Sequence, residues 1–352
     1  MSFKNNSNHY ISLLFLIFLL FIISIYQINI EDLWFDELIT FWITNPNFTN
    51  TETYQNVINY ENTPPLYYFL LKNFFYLSGY NYELLRLPNI IFNVISIIVF
   101  LKLLKKFSTN KYFIFLALIL FSLNYFLTSY SLEGRVYSFY CLILICFINS
   151  YVGLIDDKKH LKLIKFILFL IFSLILLNTF IFSLLIICTI FIFEFLFKPK
   201  NKKFYLINLI LIFAIITSLF LNFDFYKSII NFKAISIKNP NLDFYLLNFY
   251  FKQFFGSKIM GYIFFLFFVI SVFFIIRKKL FDKKIIFLFM LLFFSYTVPI
   301  IYGYIFSPVI QDKYIIYVIP VILLISSLLI CNINNKICLS AKECRSLQYI
   351  NH

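Results

Sequence analysis

The chain has 352 residues, of which 62% are hydrophobic and only 13% are charged, and its mean hydropathy is +0.87. A soluble globular domain carries about 25% charged residues. The composition therefore excludes ordinary soluble enzymes, disordered chains and collagen-like proteins, and it predicts an integral membrane protein.

Ten apolar runs, most of them near the roughly 20 residues that a helical span needs, predict an all-α polytopic membrane bundle of about ten spans. In chain order the runs are Tyr10–Ile30, Leu87–Leu104, Phe113–Tyr130, Val136–Ile155, Phe166–Leu177, Phe180–Phe197, Tyr205–Phe223, Ile259–Ile276, Ile285–Phe306 and Ile315–Cys331. Within residues 166–197 only Asn178 and Thr179 indicate a turn. We expect residues 1–331 to form one transmembrane domain and residues 332–352 to form a short cytoplasmic tail.

The basic residues fall mainly on one side of these spans. With the N-terminus inside, the sequence places 21 Lys and Arg inside and 9 outside, against 5 and 11 Asp and Glu. The positive-inside rule then predicts an inner-membrane protein with a cytoplasmic N-terminus. The net charge of +14 is explained by this topology and by contact with anionic membrane lipids, so a nucleic-acid partner is not expected.

The first outer segment, residues 31–86, is too long to be a simple connection. Its paired prolines, Pro64 and Pro65, predict the start of a helix over Leu66–Leu77, which Gly79 ends. The helix is amphipathic and short for a span, so we expect it to lie along the outer membrane surface.

A second long outer segment covers residues 224–258. Asn241 as the N-cap and Gly256 as the C-terminal stop predict a helix over Leu242–Phe255. We expect this helix, like that of the first segment, to cover the outer face of the bundle.

The outer side carries a small set of charged residues close to the bilayer boundary. They are Glu31, Asp32, Asp36, Glu37, Glu61, Arg86, Glu133, Arg135, Asp312 and Lys313. Carboxylates beside cations suit transfer from a phosphorylated donor, because a carboxylate accepts the proton of the attacking hydroxyl and a cation stabilises the departing phosphate. Each group also has a simpler interpretation: an acidic helix start, a Pro-initiated helix, a turn in which Glu133 pairs with Arg135, and a snorkelling Lys313. Their common side of the membrane favours an outward-facing site.

Several of these residues lie in ordered motifs. The motifs are Trp34-Phe35-Asp36-Glu37, Pro64-Pro65-Leu66-Tyr67-Tyr68, Leu85-Arg86-Leu87-Pro88, Tyr130-Ser131-Leu132-Glu133-Gly134-Arg135-Val136-Tyr137 and Lys313-Tyr314. In order and spacing the sequence resembles the GT-C membrane glycosyltransferases, in the branch that contains protein O-mannosyltransferases and lipid A aminoarabinose transferases. The resemblance is dense over Ile30–Tyr140 and thin afterwards.

The resemblance implies roles for individual residues. Asp36 is expected to be the catalytic base, supported by Glu37. The residues expected to bind substrate are Glu61, Arg86, Glu133, Arg135, Tyr137 and Lys313, with Arg135 and Lys313 facing the donor phosphate. The chain departs from the family pattern at Thr63, where many relatives have His, and at Lys313, where many have Arg.

The resemblance further implies transfer of a hexose or pentose from a polyprenyl-phosphate donor to an acceptor hydroxyl on the outer face, with inversion. The acceptor is a lipid, a glycan or a protein. No cofactor is required, and the alternative is a divalent cation such as Mg²⁺ or Mn²⁺ held by Asp36, Glu37 and Glu133. Two other functions stay open: a lipid-linked sugar flippase or polysaccharide transporter, and a scaffold for envelope assembly. The apolar mid-span positions weigh against transport.

Overall fold

The structure is a computed structural model that describes residues 19–28, 30–108, 110–156, 163–197, 202–231, 252–277, 282–305 and 312–328. Most of these residues are helical, the others lie in turns, bends and short irregular segments, and no strand occurs among them. Residues 19–27 are helical. The helices that follow are α1 (Phe35–Ile43), α2 (Asn50–Tyr60), α3 (Leu66–Ser78), α4 (Leu87–Phe107), α5 (Lys111–Ser122), α6 (Tyr125–Ser131), α7 (Tyr137–Asp156), α8 (Leu163–Leu177), α9 (Ser183–Phe197), α10 (Lys202–Leu221), α11 (Phe223–Asn231), α12 (Lys258–Arg277), α13 (Lys283–Ile305) and α14 (Val318–Leu328).

Apolar helices lie where the spans were predicted. Five are long and apolar enough to cross a membrane: α4 with the turn before it (Tyr82–Phe107), and the apolar parts of α7 (Tyr137–Ile155), α10 (Lys203–Leu221), α12 (Lys258–Arg277) and α13 (Lys283–Tyr302). The pair α5 and α6, bent by 49°, corresponds to a sixth, and α8, α9 and α14 are shorter apolar helices. The all-α, multi-pass membrane fold is thus confirmed. The first predicted run is helical over 19–27, and its beginning lies outside the described residues.

Helix α7 forms the centre of the bundle. It packs between α4 and α8. Of an 18-residue apolar stretch in α7, 78% is buried, compared with 17% of the corresponding stretch in α12. Its buried side chains include Tyr140, Phe147 and Tyr151. Exposed Leu and Ile side chains on α10 and α12 leave those helices facing the lipid, since apolar side chains need no protein cover in hydrocarbon.

At one end of the bundle, lysines from several helices lie together. Lys106 Nζ, in the last turn of α4, donates to Asn149 O of α7 at 2.5 Å, and Lys284 Nζ of α13 donates to Lys106 O at 2.8 Å. Lys165 Nζ of α8 lies 3.4 Å from Gly153 O. We call this the basic end. Its lysines belong to the loops that the charge count assigned to the cytoplasm.

The opposite end of α4 and α7 carries the first outer segment, and we call it the site end. The helix predicted over Leu66–Leu77 is present as α3 and ends at Gly79, whose φ of +90° favours glycine. Tyr80 stacks on Phe41 of α1 at 4.1 Å between ring centroids, and its hydroxyl donates to Phe41 O at 2.9 Å. The segment is therefore packed rather than loosely attached.

The second outer segment, residues 224–258, is described only in part. Its first helix, α11, was not predicted. A helical turn over 252–254 is followed by Gly256 with a φ of +80°, which agrees with the predicted stop at this glycine. Asn241 and most of the predicted helix Leu242–Phe255 lie outside the described residues, as does the tail.

Candidate active site

The site is built on the first turn of α1. The chain enters this helix from an extended Trp34, and Glu37 Oε2 accepts a hydrogen bond from Trp34 N at 3.0 Å. Such a contact satisfies a backbone N–H that has no partner within the helix, and negative charge is favourable at a helix N-terminus. Because adjacent helix positions point about 100° apart, the Glu37 side chain enters the core while the Asp36 side chain stays exposed.

The buried Glu37 forms an ion pair with Arg86, which precedes α4. Arg86 Nε lies 2.9 Å from Glu37 Oε1, and Arg86 Nη2 lies 2.7 Å from Glu37 Oε2. The remaining donors bind the carbonyl oxygens of Ile28, Glu31 and Asp32 at 2.8, 2.9 and 3.1 Å. All five guanidinium donors are therefore used within the protein. The predicted substrate contact of Arg86 stays a prediction, and in this structure its donors all contact protein groups.

Gly134 connects this ion pair to the turn before α7. Its backbone N–H donates to Glu37 Oε1 at 2.6 Å. A side chain at Gly134 would overlap Leu85, so the close approach requires glycine. Glu37 thus accepts hydrogen bonds from three parts of the chain, next to Asp36 in the first turn of α1.

Arg135 lies on the other side of the α1 helix start. Its guanidinium binds the Glu61 carboxylate in a bidentate manner, with Nη1 to Oε1 at 2.5 Å and Nη2 to Oε2 at 2.9 Å. Nη1 also donates to Asp36 O at 3.0 Å and to Thr40 Oγ1 at 2.8 Å. The simpler interpretation of this turn paired Arg135 with Glu133. The structure instead joins Arg135 to Glu61, 74 residues away, and both lie next to Asp36.

Asp36 is the exposed carboxylate of the site, and among the described residues it forms an ion pair with Lys313. Lys313 Nζ lies 3.7 Å from Asp36 Oδ2, and the two side chains are 27% and 53% exposed. Lys313 belongs to a 3-10 turn, Asp312–Ile315, that leads into α14. The first and last parts of the bundle thus meet at this point, where a carboxylate and an ammonium group lie close together and are both partly exposed.

Glu133 is half-buried in the turn before α7. Burial and the nearby Glu37 carboxylate raise its pKa to about 7, against the opposing effect of Lys313, Arg135 and Arg86. At neutral pH this carboxyl is therefore divided between its protonated and ionised forms. Its ionisation changes the charge of the site by one unit.

Tyr137 and Glu61, two further positions predicted to bind substrate, both contact other groups of the protein. Tyr137 is buried at the start of α7, with its ring 5.0 Å from that of Tyr130. Thr63 Oγ1 lies 2.9 Å from the hydroxyl of the buried Tyr68, next to Glu61. The substrate-binding roles of Tyr137 and Glu61 stay predictions, since each already contacts protein groups.

Glu37, one of the three ligands of the alternative divalent cation, is engaged by protein groups. Both Glu37 oxygens accept hydrogen bonds from Arg86, which leaves this carboxylate unsuited to a metal. In the described part of the chain no three His, Cys, Asp or Glu side chains are grouped for metal binding.

Solved structures share the architecture described above. The chain is similar to ArnT from Cupriavidus metallidurans in the apo state, with a TM-score of 0.62 and 9% sequence identity, over 92% of this chain and 60% of that one. It is also similar to ArnT from the same organism bound to undecaprenyl phosphate, with a TM-score of 0.58 and 11% identity, over 90% and 59%. The chain has a GT-C fold.

The predicted resemblance is confirmed at the level of this GT-C fold, since ArnT is a lipid A aminoarabinose transferase. The chain spans about 60% of the length of these ArnT structures. No family model matches the sequence, and no curated protein matches it.

Asn89, which binds the backbone of the turn before α7, was not predicted from the sequence. This fully buried amide accepts a hydrogen bond from Tyr67 OH at 3.1 Å and donates to the carbonyl oxygens of Glu133 and of Arg135, the latter at 2.7 Å. Asn89 thereby fixes the backbone on both sides of Gly134. The available signal was an amide in the first turn of an otherwise apolar span.

Proposed function

We propose that this membrane protein is a glycosyltransferase that moves a sugar from a polyprenyl-phosphate donor to an acceptor hydroxyl. The fold is shared with ArnT, one of whose structures is bound to undecaprenyl phosphate. The observation that carries the proposal is the exposed Asp36 carboxylate 3.7 Å from the Lys313 ammonium group, on a helix start that buried contacts fix in place. In this fold the pair supplies a base and a phosphate contact side by side.

The reaction is a direct displacement at the anomeric carbon. Asp36 accepts the proton of the acceptor hydroxyl, whose oxygen forms the new bond to the anomeric carbon. The bond from that carbon to the phosphate oxygen breaks, and its electron pair leaves with the polyprenyl phosphate. Lys313 stabilises the negative charge on the phosphate. A single displacement inverts the anomeric configuration, and a phosphate with a second pKa of about 6 needs no general acid.

Arg135 contributes to the same site in a secondary way. Its charge is balanced by Glu61, so the pair adds little net attraction for the donor. Its contacts to Asp36 O and Thr40 Oγ1 hold the helix start that carries the base. We therefore assign the phosphate contact to Lys313. Arg135 orients the start of α1.

The proposed orientation places the site end outside. The lysines of the basic end belong to loops that the positive-inside rule assigns to the cytoplasm, and the Asp36 site lies at the other end of α4 and α7. In the inner membrane this arrangement lets the lipid donor enter laterally, with its phosphate at the level of Lys313.

The test is product analysis with purified protein and a polyprenyl-phosphate sugar of defined anomeric configuration. We expect time-dependent release of polyprenyl phosphate and a glycosylated acceptor whose anomeric configuration is opposite to that of the donor. A donor that crosses the bilayer of proteoliposomes without any release would identify a flippase instead. A product with retained configuration would exclude the single displacement.

A further inference from the structure

A second concave surface lies at the site end, apart from Asp36. It is an open cavity of about 320 Å³ between the C-terminal part of α1 and the polar face of α2. This volume is at the lower end of the range for small-molecule pockets, which begins at about 300 Å³. We call it the outer pocket. Its lining residues are Trp42, Phe48, Thr51, Glu52, Gln55 and Asn56.

The aromatic side of the outer pocket is held in place. Trp42 is 43% exposed, and its ring lies 5.6 Å from Phe48 and 5.4 Å from Tyr60, nearly perpendicular to both. Lys72 Nζ of α3 donates to Phe48 O at 2.6 Å and to Asn50 Oδ1 at 3.0 Å, which fixes the chain segment beside the ring. The exposed tryptophan surface is therefore preformed.

The polar side of the pocket consists of groups with free hydrogen-bonding capacity. The amides of Gln55 and Asn56 make no hydrogen bond to the part of the chain that the structure describes. Glu52 Oε2 accepts from Thr49 N at 2.7 Å, a hydrogen bond that lowers the pKa of Glu52 and keeps it ionised. Amides donate and accept, and a carboxylate accepts, so the wall suits a ligand rich in hydroxyl groups.

We propose that the outer pocket binds a saccharide, as the part of the acceptor that lies beyond the reacting hydroxyl. This inference rests on the proposed function. A sugar has C–H faces that pack on an aromatic ring and hydroxyl groups that pair with amides and carboxylates, which is the combination found here. Trp42 lies six residues after Asp36 in α1, about 9 Å farther along the helix axis and about 120° around it, so an acceptor glycan of a few sugars that follows the helix surface reaches both.

A membrane contact for Trp42 is the competing explanation, because tryptophan is enriched at membrane interfaces. The neighbouring helix argues against it. Thr51, Glu52 and Gln55 are exposed on α2 beside the ring, and burying a carboxylate, a hydroxyl and an amide in lipid would remove the water that solvates them.

The test uses tryptophan fluorescence of the full chain in detergent. The chain has two tryptophans, so the variant Trp34→Phe leaves Trp42 as the only reporter. Maltotriose, cellotriose and chitotriose are titrated without donor. We expect a saturable shift of Trp42 emission to shorter wavelength with at least one of them. Gln55→Ala should weaken that binding about tenfold, whereas Asn59→Ala, an exposed amide outside the pocket, should leave it unchanged.

Two results would overturn the saccharide assignment. One is the lack of a saturable shift with all three sugars. The other is strong quenching of Trp42 by brominated lipid in nanodiscs, which would make it a membrane anchor. The titration contains no donor, so it is independent of catalysis. Sugar binding without donor turnover would contradict only the proposed function. Turnover without sugar binding would contradict only the assignment of the outer pocket as a saccharide site.

Discussion

The ion pairs Glu37–Arg86 and Asp36–Lys313 lie side by side at the start of α1, but they differ in exposure. The side chains of Glu37 and Arg86 are 1% and 5% exposed, while those of Asp36 and Lys313 are 53% and 27% exposed. The first pair is within hydrogen-bond distance at 2.7 Å, and the second is separated by 3.7 Å. Neighbouring carboxylates in one helical turn therefore face different surroundings.

This difference separates the framework of the site from its reactive groups. A buried ion pair gives up hydration and depends on its partner, so removing one member is costly. An exposed pair contributes little to stability, about 0 to 1 kcal/mol, and its members stay available to a ligand. Substitutions in the buried pair should consequently lower stability, and substitutions in the exposed pair should change donor binding or transfer.

The largest loss of stability is expected from Arg86→Met. The substitution leaves Glu37 charged and buried, which costs about 3–5 kcal/mol. We expect a much lower thermal unfolding midpoint in detergent. Arg277→Met, the same change at an exposed arginine of α12, is the matched control and should unfold like the unmodified protein. An unchanged midpoint for Arg86→Met would show that the pair is not the framework of the site.

A smaller loss is expected from Asn89→Ala. The change leaves Tyr67 OH and two carbonyl oxygens before α7 without their partner, at a cost of about 1–3 kcal/mol. Asn93→Ala, one turn later in α4, removes an amide that makes no hydrogen bond in the described part of the chain and serves as the control. Equal unfolding midpoints for the two variants would contradict the role assigned to Asn89.

Lys313→Gln should affect donor binding with little effect on stability. Removing the charge beside the phosphate is expected to weaken binding of polyprenyl phosphate by about tenfold, and Lys313→Arg should retain it. Binding is measured with a fluorescent polyprenyl phosphate, with Lys258→Gln, an exposed lysine at the start of α12, as the control. Equal affinity of Lys313→Gln and this control would exclude Lys313 as the phosphate contact.

The smallest effect is a pH dependence that originates at Glu133. Its pKa is raised to about 7, so it ionises beside Lys313 and Arg135 as the pH rises through that value. Relative to Glu133→Gln, which keeps the ionisation of the phosphate itself, the unmodified protein should therefore bind polyprenyl phosphate more weakly as the pH rises from 6 to 8. The free energy of unfolding should also fall as the pH rises from 4.5 to about 7, because the unfolded chain releases this proton first.

Much of the fold was predictable because its signals are local. Apolar runs of span length, the proline pair before α3 and the positive φ at Gly79 are properties of short segments, and each is present in the structure. Of the residues that the motif resemblance singles out, Arg135 and Lys313 contact Asp36 in the structure, and their roles there stay predictions. Over the described residues, these local patterns were sufficient for the architecture.

The pairing of charges was not predictable, because it depends on tertiary packing. Arg86 was expected to contact substrate, yet its partner is Glu37, 49 residues earlier in the chain. Arg135 pairs with the distant Glu61 rather than with the adjacent Glu133. A sequence shows that charges fall on the same side of a membrane, but it does not show which of them are buried together.

The most direct test of the account separates donor binding from transfer in Asp36→Asn. Donor is bound to saturation, acceptor is added, and release of polyprenyl phosphate is followed in a single turnover. We expect an unfolding midpoint that matches that of Asp32→Asn, the same change four residues earlier, and a donor affinity at least as high, because a negative charge beside Lys313 is lost, while release falls by about a thousandfold. Release at the control rate from Asp36→Asn would contradict the assignment of Asp36 as the base.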